Sequence, residues 1–169
     1  MRRWILAGAA AICLVTGATL ARLALDAEAT ALNPADPIKR GRYLVQIGGC
    51  NDCHTADYLA KAGDVPENRW LTGSPVGFSG PWGTTYPGNL RHLLAGMEED
   101  SWVRYARTIE TRPPMPWFNL RVFAEDDLRA IYRYVRSMPA DDSAVPDYVP
   151  PDGQPATPHI VMVPQAPKQ

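Results

Sequence analysis

A chain of 169 residues with 46% hydrophobic and 21% charged residues sits near the globular average, which excludes wholesale disorder and allows one buried core plus extensions. The formal net charge is −1 with no long run of like charge, so the basic surplus or stripe that nucleic-acid binding needs is missing. Eight of the 17 prolines follow Met138, which sets the end of the chain apart from its middle.

The N-terminus reads as an export signal. Arg2 and Arg3 form a positive start, Trp4 to Ala21 carries no charge, and small residues then recur at signal-peptidase spacing in Ala18-Thr19-Leu20-Ala21 and Ala27-Glu28-Ala29. Residues 1–29 are therefore expected to be a signal peptide. The alternative is a retained N-terminal membrane anchor, because an apolar stretch of about 18 residues just reaches across a bilayer. Cys13 lies in this segment behind Ile12, whereas a lipoprotein cysteine needs a small residue before it, so Cys13 reads as apolar filler. On either reading the remainder of the chain is expected in the periplasm, with membrane contact only through an uncleaved N-terminal segment.

Asp36-Pro37 has the form of an N-cap followed by proline at the first helical position. Ile38, Gly41, Leu44 and Val45 follow at helical spacing, with Lys39, Arg40 and Arg42 on other faces, and Gly48-Gly49 closes the helix. Gly41 weakens a helix interior, which points to a close approach by another helix there.

Cys50-Asn51-Asp52-Cys53-His54 comes next and decides the chemistry. In a C-x-x-C-H motif two thiols add across the vinyl groups on one porphyrin edge, and the adjacent histidine falls beneath the iron as proximal ligand. A thioredoxin-like pair would need alternating strands and helices, which this chain lacks. A structural zinc site needs four ligands, and only His92 and His159 remain as further histidines. A plain disulfide would leave His54 unexplained. The expected cofactor is one haem c per chain, attached covalently through Cys50 and Cys53, with His54 on the metal.

Thr55 to Tyr86 reads as a long loop rich in Gly and Pro, and loops of that length are usually functional or wrapped on the domain. Trp70, Trp82 and Tyr86 in it are expected to line the haem edge or hydrogen-bond a propionate; the alternative is that they only close the core. A helix is expected from about Glu99 to Ile109, with Trp102, Val103, Ala106 and Ile109 on one face. In Arg112-Pro113-Pro114-Met115-Pro116-Trp117 three prolines forbid a helix and hold Met115 on stiff backbone. Met115 is the expected second axial ligand, with Met97 and His92 as alternatives. Its plainer role would be to fill a gap beside Trp117 and Phe118. Glu125-Asp126-Asp127 opens a last helix, with Leu128, Ile131, Tyr132, Val135 and Met138 as its apolar face and Pro139 as its stop. The Pro-rich extension 139–169 carries apolar patches at Tyr148-Val149 and Ile160-Val161-Met162-Val163, and an ordered strap along the domain, a tether or a docking strand are the readings it allows.

The order helix, C-x-x-C-H, long Gly/Pro loop, helix, Met-Pro-Trp loop and terminal helix resembles the class I cytochrome c family. Gly41-x-Tyr43-Leu44, Cys50 to His54, Tyr86-Pro87-Gly88-Asn89-Leu90 and Met115-Pro116-Trp117 carry the likeness, which spans about residues 36–138. The nearest likeness is to bacterial cytochrome c domains that serve dehydrogenases. The resemblance implies an all-α cytochrome c fold of three to four helices around one haem, with the terminal helix crossing the first. It also implies that the Gly88 carbonyl accepts the second ring N–H of His54, which would fix the tautomer and tune the iron.

A His/Met iron leaves no open coordination position, so outer-sphere electron transfer is expected, and the chain shows no nucleophile–base pair of its own. The expected function is electron transfer between a dehydrogenase or oxidase partner and a downstream carrier, without enzymatic activity in this chain. The alternative is a haem sensor whose sixth ligand is labile.

Overall fold

A computed structural model of the chain describes residues 36–164 and 167; the expected signal segment 1–29 lies outside the described residues. Helix α1 (Pro37–Ile47) starts where the sequence places it. Asp36 Oδ1 accepts from the backbone N–H groups of Ile38 and Lys39 at 3.0 and 3.1 Å, satisfying two of the donors a helix start leaves orphaned. Gly48 caps the end, and Gly49 at φ +69° turns the chain directly into the short helix α2 (Cys50–His54).

Helices α3 (Leu90–Ala95), α4 (Glu99–Thr108) and α5 (Glu125–Ser137) complete the helices among the described residues, with 3-10 turns at Glu67–Arg69 and Trp117–Val122. α1 crosses α5 at Gly41, where an added Cβ would run into the Ala130 carbonyl and lie 2.6 Å from Tyr134 Cβ. Leu44, Val45, Leu128, Ile131 and Val135 bury around this crossing. Each fully buried aliphatic side chain of this kind contributes about 1.5–3 kcal/mol relative to exposure. α4 joins through Trp102, whose indole N–H donates to Leu128 O at 2.8 Å, and through Glu99, which accepts from Arg129 and Arg133 at 2.8–3.1 Å.

The expectation of an all-α domain is corrected by a three-stranded sheet. β1 (Gly77–Gly80) and β2 (Gly83–Thr85) form an antiparallel hairpin inside the stretch read as a loop, and β3 (His159–Val161) from the C-terminal extension pairs parallel to β1. Pro81 and Trp82 make the turn between Gly80 and Gly83. Proline suits the first turn position, and Gly83 supplies φ +90°. Ser79 and Thr84 face each other with their hydroxyls 2.7 Å apart.

Residues 139–164 of the extension form a strap. Asn89 Nδ2 donates to Asp141 and Ser143 at 2.9–3.2 Å, and Val149 exchanges backbone hydrogen bonds with Thr84 at 2.8 and 3.0 Å. Tyr148 donates its hydroxyl to Trp82 O at 2.9 Å, and Thr157 donates to the Tyr86 hydroxyl at 3.1 Å. The strap thus lies across the hairpin and continues into β3. Among the described residues no helix is long and apolar enough to cross a membrane.

Candidate functional site

The two thiols and the imidazole owe their placement to residues behind them. α2 is too short to hold itself. Asn51, which is 0% exposed, anchors it from the rear: its Oδ1 accepts from Thr55 Oγ1 at 2.8 Å, and Thr55 Oγ1 accepts from Leu71 N at 2.8 Å. With Asn51 turned into the core, Cys50 and Cys53 come to the opposite side and line one cavity together with His54. Both thiols are free. Burial pushes the Cys50 thiol up to about 11, helped by the neighbouring Asp52 carboxylate, and burial also raises Cys53. Neutral thiols are therefore what the folded chain presents.

His54 donates from Nδ1 to Gly88 O at 2.7 Å, the carbonyl singled out above. Burial holds the imidazole below its ordinary value, outweighing the opposing pull of that hydrogen bond. A neutral ring with Nδ1 carrying the proton leaves Nε2 with its lone pair, the state a metal ligand requires; the tautomer follows from the hydrogen bond.

The cavity is about 500 Å³, within the range of cofactor pockets. Its back wall is aliphatic: Val45, Leu71, Leu94, Ile131 and Val135. Leu90, Leu93, Trp102 and Tyr105 extend it, and the Met115 loop with Leu120 and Phe123 closes another side. Met115 is half-buried and lines the cavity; its carbonyl accepts from Trp117 N at 2.9 Å, which starts the 3-10 turn. Thr85, Tyr86, Pro146 and Tyr148 form the wall built by hairpin and strap.

These residues fit a haem. The donor set comprises two thiols, one imidazole nitrogen and one thioether around a single apolar space. Gly48, Gly49 and Gly88 also line that space, and a Cβ on Gly88 would meet nothing within 4 Å, so the Gly88 backbone borders open room beside its own carbonyl's bond to His54.

Other expected residues fall elsewhere. Trp82 is not in the cavity wall; it packs on Gly80 at the hairpin turn and directs its indole N–H at Phe78 O, 3.4 Å away. Trp70 is buried in the core with its N–H on Val65 O at 2.7 Å, which matches the core-closing alternative. Tyr86 does line the cavity, and its hydroxyl accepts from Thr157. His92 is exposed on α3, with Nδ1 3.1 Å from Asp142, and Met97 packs against the core outside the cavity. Asn51, Thr55, Arg112 and Tyr148 were not singled out as site residues from the sequence. For Asn51 and Thr55 the available signal is one polar residue inside the motif and another directly after it, four positions apart.

The chain is 30% identical over 123 residues to the gluconate 2-dehydrogenase cytochrome c subunit of Pantoea cypripedii. The match takes in 64% of this chain but only 28% of that subunit, so the chain spans less than a third of the relative's length. No family model matches the chain, and no solved structure matches it. The similarity supports, loosely, a cytochrome c-type relationship.

Proposed function

We propose that this chain is a monohaem c-type cytochrome that carries electrons between a dehydrogenase and a downstream acceptor. The observation that supports this most is the gathering of Cys50, Cys53, His54 and Met115 around one apolar cavity, with His54 Nδ1 committed to Gly88 O. Haem c supplies reversible one-electron chemistry at its iron. Cys50 and Cys53 would hold the group through thioether bonds. His54 Nε2 and the Met115 thioether would ligate its iron, and the Gly88 carbonyl would orient the imidazole. The aliphatic wall excludes water, which favours the less charged, reduced state and so a raised potential.

With His54 and Met115 both on the iron, small molecules would find no open site, so the chain would act as an electron-transfer component and perform no catalysis alone. The name of the Pantoea relative, a dehydrogenase's cytochrome c subunit, supports a dehydrogenase as partner. Residues 1–29 export the chain to the periplasm or tether it to the membrane facing that side, residues 36–138 form the haem domain, and 139–164 form the strap.

The test is the oxidised absorption spectrum with and without Met115→Ala. A weak sulfur-to-iron band at the red end, lost in the variant, is expected. A spectrum unchanged by the substitution would remove Met115 from the iron and favour a sensor with an open or labile position.

A further inference from the structure

Under the haem reading, the group in the cavity brings two carboxylates of its own, and a cation exposed at the cavity's rim would meet them there. The walls supply few charges to meet them. The charged side chains lining the cavity among the described residues are Glu110 and Arg112. Glu110 is already engaged, 3.0 Å from Arg121 Nη2. Arg112 has no carboxylate partner among the described residues; its guanidinium lies instead 3.8 Å over the ring of Tyr148.

That stacking is built from both sides. Tyr148 is fixed through its hydroxyl to Trp82 O at 2.9 Å, and its neighbour Val149 is locked to Thr84 by two backbone bonds. The backbone after Arg112 is pinned where Pro113 O accepts from Thr85 Oγ1 at 2.9 Å. A guanidinium lying flat on an aromatic ring keeps its N–H edges free, and those edges match a carboxylate in two parallel hydrogen bonds. Arg112 opens the Met115 loop and is held against the wall formed by the hairpin and strap, whereas the thiols come from α2.

We propose that Arg112, stacked on Tyr148 of the C-terminal strap, is the charge partner of the carboxylates of the bound haem, so that the strap takes part in setting its reduction potential. This rests on the haem reading above. A fixed cation near the iron favours the reduced state, because it opposes the extra positive charge of the oxidised one. Removing it lowers the potential.

The experiment is a spectroelectrochemical titration of the full-length, haem-loaded protein and four variants at one pH and ionic strength. Arg112→Gln is expected to shift the redox equilibrium roughly tenfold toward the oxidised form, which is about 59 mV for a one-electron couple. Arg121→Gln removes the same charge from a residue already paired to Glu110 and should shift it less than about a third as far on that scale. Tyr148→Phe keeps the ring and should stay near wild type, while Tyr148→Leu should follow Arg112→Gln part of the way. Equal shifts for Arg112→Gln and Arg121→Gln, or none for either, would overturn the proposal while leaving the haem reading intact. A wild-type value for Tyr148→Leu would overturn the strap's part in it. Wild-type protein without haem would overturn the electron-carrier reading and this proposal together.

Discussion

Gly41→Ala should destabilise the protein although alanine is the better helix former. The new Cβ would sit 2.6 Å from both the Ala130 carbonyl carbon and Tyr134 Cβ, and closer still to the Ala130 oxygen. None of these atoms can rotate away, so α1 and α5 must part by about 1 Å to restore ordinary contact. Overpacking of this kind costs about 1–3 kcal/mol, with a backbone clash at the upper end. The substitution recovers up to about 1 kcal/mol of helix propensity. The net loss is about 2 kcal/mol, or a fall in Tm of about 8 °C for a domain of this size. Thermal unfolding followed by helical circular dichroism measures it. Val45 on α1 and Ile131 and Val135 on α5 line the cavity, so the same separation loosens its back wall. A variant melting at or above wild type would refute a tight crossing at Gly41.

Stability should fall in acid through Glu99. The hydrogen bonds from Arg133, with those from Arg129, hold its carboxyl below the ordinary 4.5 against the opposing effect of burial. Since the folded value is the lower, the unfolded chain binds the extra proton; the contribution is complete above the ordinary value and lost as pH falls through the folded one. Glu99→Gln should flatten the decline in Tm between about pH 5 and pH 3, and an unaltered slope would contradict the pairing. Trp82→Phe should leave the reduction potential unmoved and cost less than about 1 kcal/mol, because its long hydrogen bond to Phe78 O lies outside the cavity wall. A changed potential would bring Trp82 back to the haem. His92→Ala should leave the oxidised spectrum as it is, since His92 stands exposed beside Asp142; a changed spectrum would return it to the axial candidates.

What the sequence disclosed here was written in neighbouring residues. Asp36 beside Pro37 marked the start of α1, the acidic run from Glu125 to Asp127 marked α5, and Cys50 to His54 stated its chemistry within five positions. Gly41 announced a close approach because glycine is costly inside a helix, but which helix crosses there, and the aim of the Gly88 carbonyl, came into view through the family likeness. The sheet stayed hidden for a different reason. Its strands are three or four residues long, glycine begins both strands of the hairpin, and β3 finds β1 some eighty residues back along the chain. Periodicity needs longer runs than that. Trp70 and Trp82 look alike in sequence, yet one indole reaches Val65 in the core and the other sits at a hairpin tip. Arg112 and Tyr148 meet only because the strap folds back, and nothing near either residue announces it.

The intact mass of the full-length protein, denatured after maturation in cells that complete a control c-type cytochrome, tests the central claim most directly. The account predicts one haem per chain retained through denaturation, and its loss when Cys50 and Cys53 are both replaced by serine. A mass equal to the polypeptide alone, with the control cytochrome matured in the same cells, would contradict it.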